Sequence, residues 1–146
     1  MAATYRLSLW RRVVNALVMA LLRWGLGPHH TYLLTVRGRK SGRLYSTPVT
    51  LVEQRGQRWL VAPYGEVAWV RNARATRQVT LSRGAQSKTV AIVELRPEEA
   101  APILKQYLTQ VPITRPFFDV TPESPLDAFA TEAPRHPVFF LVASWP

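Results

Sequence analysis

The most concentrated group of charged residues in the sequence is a short basic loop. Residues 37–43 read Arg-Gly-Arg-Lys-Ser-Gly-Arg, so four cations and one serine alternate with two glycines. Guanidinium, ammonium and hydroxyl groups are donors that bind phosphate or carboxylate oxygens, and glycines let a tight turn present its backbone N–H groups. The spacing differs from the nucleotide-binding Gly-x4-Gly-Lys-Ser/Thr pattern. The loop therefore indicates either a site for an anion or an ordinary solvated turn.

A second candidate segment follows about twenty residues later. Residues 62–66 read Ala-Pro-Tyr-Gly-Glu, and residues 69–74 read Trp-Val-Arg-Asn-Ala-Arg. A strand end, a glycine turn and a helix start bring backbone N–H groups together, which favours an anion. Tyr64 and Trp69 are suited to a flat ligand, and Asn72 to its edge. The alternative is that Trp69 belongs to the core and that three arginines form a solvated helix face: Arg71, Arg74 and Arg77.

Several classes of chemistry are excluded by composition. The chain has 146 residues, no cysteine and three histidines, so it can have no disulfide, thiolate nucleophile or cysteine-bound zinc, and we expect no metal site. No serine lies near a histidine in a pattern typical of a hydrolase, and His136, which precedes a proline, is expected at the entry to a strand. If the chain is an enzyme, a bound cofactor is expected to carry the reaction.

Charge is divided unevenly along the chain. Residues 1–83 hold 14 basic and two acidic residues, a net charge of +12, whereas residues 84–146 carry −2. A basic half of this kind indicates an acidic partner. The candidates are a phosphorylated small molecule, an anionic membrane surface and nucleic acid.

The elements that position these residues are mostly short strands joined by tight turns. Such a pattern favours an antiparallel barrel or sandwich in a single domain spanning residues 1–146. Pro48 predicts an edge position or a bulge within its strand. Strands are predicted over residues 32–36, 44–53, 58–62, 79–82, 88–95 and 138–142, and helices over residues 8–24, 67–76 and 97–108.

The terminal segments carry two further expectations. Residues 1–24 are expected to contain an amphipathic helix with one apolar stripe, and its uncharged run of ten residues, 13–22, is about half of what a bilayer requires. The helix is predicted either to pack on the core or to lie on a membrane, and Gly25, Gly27 and Pro28 should end it. Residues 109–137 hold six of the twelve prolines and are predicted to be an irregular segment with at most one helical turn, near residues 126–129. The apolar stripe of the first helix consists of Trp10, Val14, Leu17, Leu21 and Trp24, and its apolar side is widened by Leu9, Val13, Val18 and Leu22.

Together these motifs resemble those of the deazaflavin (coenzyme F420)-dependent nitroreductase family. The resemblance rests on residues 34–48, Leu-Thr-Val-Arg-Gly-Arg-Lys-Ser-Gly-Arg-Leu-Tyr-Ser-Thr-Pro, and on residues 69–75, Trp-Val-Arg-Asn-Ala-Arg-Ala, and it covers about residues 31–95. It implies a mainly β fold with flanking helices (α+β), a split antiparallel β-barrel of the FMN-binding type. It also implies coenzyme F420 rather than FMN, and hydride transfer to a quinone, a nitroaromatic compound or an activated alkene.

The resemblance also implies roles for particular residues. Arg39, Lys40 and Ser41 would hold the phosphate and the glutamate tail of the coenzyme, while Thr47 and Pro48 would approach its ring. Apolar and aromatic side chains would line the acceptor pocket, with Tyr64, Tyr107 and Phe117 or Phe118 as candidates. Either a tyrosine, with Tyr64 and Tyr107 as the catalytic candidates, or water would supply a proton. The remaining coenzyme-binding candidates are Arg37, Gly42, Gly65, Trp69, Asn72 and Arg74.

One alternative function and one question of location stay open at this point. The chain could be a superfamily member without redox activity that binds a fatty acid, another lipid or a membrane surface. Residues 6–24 would then meet an anionic membrane. The expected location is the cytoplasm, with peripheral attachment at the inner membrane face as the open alternative. Nucleic acid is the least favoured partner, because the arginine helix has no helix-turn-helix around it.

Overall fold

The structure, a computed structural model, describes residues 9–26 and 30–142, without the side chain of Trp10. Within these residues six antiparallel strands close into a barrel in the order β1-β2-β3-β6-β5-β4. The mainly β fold with flanking helices, a split antiparallel barrel, is thus confirmed. The strands are β1 (Thr31–Arg37), β2 (Leu44–Gln54), β3 (Gln57–Val61), β4 (Gln78–Arg83), β5 (Gln86–Glu94) and β6 (Val138–Leu141).

The longest strand, β2, divides its pairing between two neighbours. Its first part pairs with β1, where Pro48 lies opposite Leu33, and β3 joins it only from Leu51 onward. A proline has no N–H to donate to a neighbouring strand and is therefore tolerated where one side is unpaired. The predicted edge position of Pro48 is confirmed.

Two apolar cores stabilise the molecule. One fills the barrel with inward residues such as Leu34, Leu51 and Leu81. The other lies outside β3 and β6, where Val61 and Val138 pack against the later helices. Successive side chains of a strand face opposite sides of the sheet, so β3 and β6 can contribute residues to both cores.

Four α-helices flank the barrel within the described residues: α1 (Leu9–Arg23), α2 (Ala68–Thr76), α3 (Pro97–Gln110) and α4 (Leu126–Glu132). Residues 109–137 are more helical than predicted, because 3-10 turns cover Pro112–Phe117 and Ala133–Arg135 in addition to α4. Proline lacks an N–H that the first turn of a helix leaves without a partner, so proline at a helix start is compatible with helix. Pro112, Pro125 and Pro134 lie at such starts.

Helix α1 packs against the barrel with one edge of the predicted apolar side, at Val18 and Leu22, and not with the central stripe. Leu22 is fully buried, whereas Leu17 and Trp24 of the predicted stripe are 61% and 83% exposed. The buried face instead follows Leu22 and the two residues one and two turns before it, Val18 and Asn15. Residues 1–8, Gly27 and Pro28 lie outside the described residues, as does part of the predicted membrane segment 6–24. No described helix is long and apolar enough to cross a bilayer.

Candidate functional site

A cavity of about 1010 Å³ lies where α1, the β1–β2 loop, the start of α2 and the α3 end of the molecule meet. The cavity brings together ten of the residues that the sequence singled out, although they come from five separate segments of the chain. It does not include the other candidates. The ten are Arg39, Lys40, Ser41, Thr47, Pro48, Tyr64, Trp69, Asn72, Tyr107 and Phe117.

The basic loop is held in place by the buried side chain of Asn72 on α2. Asn72 Oδ1 accepts hydrogen bonds from the Arg39 backbone N–H (3.1 Å) and from Arg39 Nη1 (2.8 Å). Val70 and Ala73, on the same helix, are fully buried in the barrel core, so α2 itself is fixed. Asn72 therefore positions the loop rather than presenting its Oδ1 to a ligand.

The backbone N–H groups of the loop are largely engaged within it. Gly38 N donates to Arg43 O, Gly42 N donates to Gly38 O, and Arg43 N donates to Ser41 Oγ. Gly38 is required here, since a Cβ would lie 2.7 Å from the Tyr45 ring and 2.8 Å from Ser41 Oγ. The expectation that the two glycines expose N–H groups to an anion is therefore wrong for these amides. The side-chain donors of the loop that line the cavity are those of Arg39, Lys40 and Ser41.

A second set of donors opens on the cavity at the start of α2. Val67, Ala68 and Trp69 line it there, and Val67 is the N-terminal flanking residue of the helix. Val67 N donates to Gly65 O and Val70 N to Val67 O, so the donors of this first turn that remain for the cavity are the N–H groups of Ala68 and Trp69, at the positive end of the helix dipole. This end of the cavity is therefore suited to negative charge.

The opposite end of the cavity is aromatic and apolar. The rings of Tyr64 and Phe117 meet edge to face with centroids 4.8 Å apart, and Tyr107 lies nearby, almost completely buried. Burial raises the pKa of the Tyr107 hydroxyl far above its ordinary value; the nearby Tyr64 adds to this, while a hydrogen bond with Thr114 opposes it. The Tyr107 hydroxyl therefore holds its proton more tightly than an exposed tyrosine does, whereas Tyr64 is only half-buried.

Helix α1 contributes cavity residues that the sequence motifs did not indicate. Arg11 and Arg12 line the cavity, and the Arg11 guanidinium lies 5.5 Å from the centroid of Phe117. Asn15 and Met19 follow at helical spacing on the same side. The available signal was the alignment of Arg11, Asn15 and Leu22 on one helix face, which the stronger apolar residues of the opposite face obscured.

Four predicted coenzyme-binding residues lie outside the cavity: Arg37, Gly42, Gly65 and Arg74. Arg37 Nη1 donates to Gly42 O at 2.8 Å. This hydrogen bond stabilises the loop, although neither residue lines the cavity. Gly65 has a φ of +90° and lies against Arg135 O, where an added Cβ would be 3.3 Å away. Phe118, predicted in the acceptor pocket, instead stacks on His136.

The fourth of these residues, Arg74, points away from the cavity. Its guanidinium binds Glu94 Oε2 at 2.7 Å and Glu66 Oε2 at 2.8 Å. The interpretation that Arg71, Arg74 and Arg77 share one helix face is also wrong, because Arg77 ends α2 in the left-handed conformation with φ 59°.

The charges around the cavity are of one sign. Arg11, Arg12, Arg39 and Lys40 line it, and no aspartate or glutamate does so within the described part of the chain. A cavity with cations and hydroxyls at one end and aromatic rings at the other matches a ligand that has an anionic tail and a flat ring system. Coenzyme F420, a deazaflavin with a phosphate and several glutamates, has these two parts, so the residues present fit it.

Comparisons with known proteins agree with this geometry. An F420-H2 dependent reductase, FDR-A, is 25% identical in sequence, with 77% of this chain and 94% of that chain covered and a TM-score of 0.54. A structure described as a domain-swapped dimer is 22% identical over 89% and 97% of the two chains, with a TM-score of 0.56. A NimC/NimA family protein from Clostridium acetobutylicum is 11% identical over 86% and 81%, with a TM-score of 0.52. No curated protein sequence matches the chain.

A model of one protein family covers most of the chain. The model of the F420H(2)-dependent quinone reductases matches residues 10–115, which include the basic loop, the start of α2 and Tyr107. The cofactor of this chain is accordingly coenzyme F420, and its chemistry is that of a deazaflavin-dependent oxidoreductase. The chain belongs to the F420H(2)-dependent quinone reductase family.

Proposed function

We propose that this protein reduces a quinone, a nitroaromatic compound or an activated alkene with reduced coenzyme F420, and that both molecules share the cavity described above. The observation that supports this most directly is the polarity of that cavity. Its lining changes from cations and hydroxyls at Arg39, Lys40 and Ser41 to aromatic rings at Tyr64 and Phe117. A quinone or nitroaromatic ring is flat and mostly apolar, so the aromatic end suits it.

The coenzyme would be held mainly by side chains. Arg39 and Lys40 would bind the phosphate and the glutamates, and Ser41 would add a hydroxyl. Thr47, Pro48 and Trp69 line the stretch between the two ends, where they would lie against the ring. Because guanidinium–phosphate contacts are charge-assisted, they should contribute most of the binding free energy.

The work of the protein in the reaction is to orient two flat molecules and supply a proton. The bound, reduced deazaflavin supplies a hydride; one hydride and one proton together convert a quinone to its quinol. Tyr64 Oη is the protein group proposed to donate that proton to the acceptor oxygen, and water would then restore it. The apolar wall formed by Tyr64, Phe117 and Val61 excludes bulk water from the acceptor.

Two measurements test this function in sequence. Oxidised F420 and FMN are titrated into the purified protein at low and at high salt. F420 should bind more tightly than FMN, and its affinity should fall as salt rises, because the glutamate tail is recognised by exposed cations. Reduced F420 is then mixed with menadione and a nitroaromatic compound, and its oxidation is followed by absorbance. Stronger binding of FMN, or no acceptor-dependent oxidation, would contradict the proposal.

A second candidate role concerns the outer face of α1. Leu9, Val13 and Leu17 follow one another at four-residue spacing and are 79%, 53% and 61% exposed, with Trp24 further along the same side. Arg12 and Arg23 flank this face, and the helix has no acidic residue. Such a face is typical of a helix lying on an anionic membrane. We propose that α1 attaches the protein to the inner face of the membrane, where hydrophobic quinones are dissolved.

Vesicle binding tests the membrane role separately. The protein should sediment with phosphatidylglycerol vesicles and much less with phosphatidylcholine vesicles. Val13→Gln should weaken sedimentation, whereas Val93→Gln, at an equally exposed valine on β5, should not. Equal effects of the two variants would contradict it. Mass spectrometry of the purified protein distinguishes the remaining alternative, a lipid carrier, which would retain a fatty acid and fail to bind F420.

A further inference from the structure

A buried histidine and a buried glutamate lie behind the wall of the cavity that carries Tyr64. His136 and Glu132 are each only 3% exposed. His136 Nδ1 is 2.8 Å from the carbonyl oxygen of Pro63, and His136 Nε2 is 2.7 Å from Glu132 Oε2. Neither residue lines the cavity, and the sequence patterns assigned no more than a strand-entry position to His136.

The hydrogen-bond partners determine where the ring must carry hydrogen. A carbonyl oxygen only accepts hydrogen bonds, so Nδ1 is the donor to Pro63 O. The charged groups around the ring are Glu132, Arg135 and Asp119. The Glu132 carboxylate also pairs with Arg135. Asp119 binds Arg135 through its carboxylate and donates its backbone N–H to Glu132. Burial lowers the pKa of His136, and its hydrogen bonds with Glu132 and Pro63 oppose that effect.

The same ring contacts the sequence neighbours of both aromatic residues of the wall. Pro63 directly precedes Tyr64, and Phe118, which stacks on the His136 ring with centroids 3.7 Å apart, directly follows Phe117. A hydrogen bond from Ala62 N to Pro137 O also joins the segment before Tyr64 to the segment that carries His136. His136 is therefore in contact with the neighbours of the two rings that meet edge to face in the acceptor end of the cavity.

We propose that His136 is a positioning residue for the reaction: by donating from Nδ1 to Pro63 O and stacking on Phe118, it fixes Tyr64 and Phe117 against the acceptor. This proposal rests on the proposed function, in which those two rings hold the acceptor. It predicts an effect on acceptor turnover and none on coenzyme affinity, because Arg39 and Lys40 lie at the other end of the cavity.

Two variants separate the two hydrogen bonds of the ring. The amide nitrogen of asparagine can replace Nδ1, and that of glutamine can replace Nε2. Both variants lose the stack on Phe118, but His136→Asn should keep the bond to Pro63, whereas His136→Gln should keep only the bond to Glu132. The acceptor kcat of His136→Gln should therefore be about tenfold lower than that of His136→Asn. The F420 dissociation constant of both variants should stay within about twofold of the wild-type value. Equal turnover in the two variants, or a greater loss in His136→Asn, would overturn the proposal.

A measurement on the unmutated protein keeps the test independent of activity and of the folding of the variants. In ¹⁵N-labelled protein, His136 Nδ1 should show a slowly exchanging proton shifted downfield, with a nuclear Overhauser contact to Tyr64 or Pro63. The absence of that proton would overturn the proposal even if the enzyme is active. If the proton is present but no acceptor is reduced, the failure lies in the proposed function and not in the position of His136.

Discussion

At the scale of single residues, Asn72 is the side chain on which the basic loop depends. Its Oδ1 accepts two hydrogen bonds from Arg39, one from the backbone and one from the guanidinium, in a buried position. Asn72→Ala would leave the Arg39 N–H without that acceptor, which should lower the free energy of unfolding by about 1–3 kcal/mol and weaken F420 binding. Urea denaturation and fluorescence titration measure the two effects.

Asn72→Asp is the matched control for this prediction, because it keeps an acceptor oxygen toward Arg39. It should retain coenzyme affinity much better than Asn72→Ala. If Asn72→Ala binds F420 as tightly as the wild type, the loop does not depend on α2.

The two tyrosines of the cavity are predicted to differ in function. Both line the cavity, but Tyr107 is buried, its pKa is raised by that burial and its hydroxyl is hydrogen-bonded to Thr114, whereas Tyr64 is only half-buried. Tyr64→Phe should lower kcat with a quinone by about tenfold to a hundredfold, within the range of general acid catalysis. Tyr107→Phe should mainly lower stability. Steady-state kinetics with menadione, alongside thermal unfolding, would show the reverse order if this assignment were incorrect.

Residue types and spacing were sufficient to predict which segments meet at the site, but not all the contacts within it. Arg39, Lys40 and Trp69 line the cavity as expected because loop and helix start are brought together by the barrel. Arg74 was predicted there from the same motif. Its partner Glu94 is twenty residues away on β5, so the ion pair depends on the tertiary fold and leaves no local pattern.

At the scale of elements, the attachment of α1 depends on a close backbone approach. Gly84 N donates to Leu22 O at 2.7 Å, and a Cβ on Gly84 would lie 3.0 Å from the Gly25 Cα. Gly84→Ala should therefore loosen the C-terminal end of α1 and lower the free energy of unfolding by more than the ~1 kcal/mol expected for alanine at positive φ alone. In that variant the amide of Gly25, which donates to Leu22 O at the same end of α1, should exchange faster.

Gly56→Ala provides the control for the α1 contact. Gly56 also has a positive φ, +76° against +60° at Gly84, and it too lies in a turn between two strands, but no atom lies within 4 Å of the position that an added Cβ would take. Its substitution should cost only the backbone strain. Equal destabilisation by the two substitutions would show that the contact between α1 and the β4–β5 turn contributes nothing.

The ion pairs of Arg74 join the segment before α2 to β5 and predict a pH dependence. Hydrogen bonding from Arg74, and then its charge, hold the pKa of Glu66 below its ordinary value. A lowered carboxyl pKa stabilises the fold above the ordinary value, and this contribution is lost as the pH falls through the lowered one. In Arg74→Ala the Glu66 pKa should return to about its ordinary value. Carboxyl ¹³C titration measures it, and Arg71→Ala, which removes a weaker charge effect, should change it much less.

The strands were predictable because alternation of apolar and polar residues and tight turns are local signals. The 3-10 turns and the packing of α1 were not predictable in this way. The helical character of residues 112–117 and 133–135 was missed, since proline-rich composition alone resembles irregular structure. Val18 and Leu22 were expected on the apolar side of α1, but which part of that side packs on the barrel was not predicted, because most of the apolar residues lie on the outer side. Neighbouring elements, not the helix itself, determine which face is covered.

At the scale of the whole molecule, the structure shows where part of the excess positive charge of residues 1–83 lies. Four cations of the basic half, Arg11, Arg12, Arg39 and Lys40, surround one cavity, and no described acidic residue lines it. The acidic residues of the second half are placed elsewhere, several of them in ion pairs such as Glu132 with Arg135. The resulting field should raise the association rate of an anionic coenzyme and make it sensitive to salt.

The most direct test of the account is the affinity of oxidised F420 for two double variants that each remove two positive charges. Arg39→Ala with Lys40→Ala removes cations that line the cavity, whereas Arg55→Asn with Arg71→Ala removes exposed cations that do not line it. At equal ionic strength the first pair should weaken binding by about a hundredfold or more, as expected for two lost charge-assisted contacts, and the second pair by no more than about threefold. Wild-type affinity in the loop variant, or equal losses in the two, would contradict the assignment of this cavity to the coenzyme.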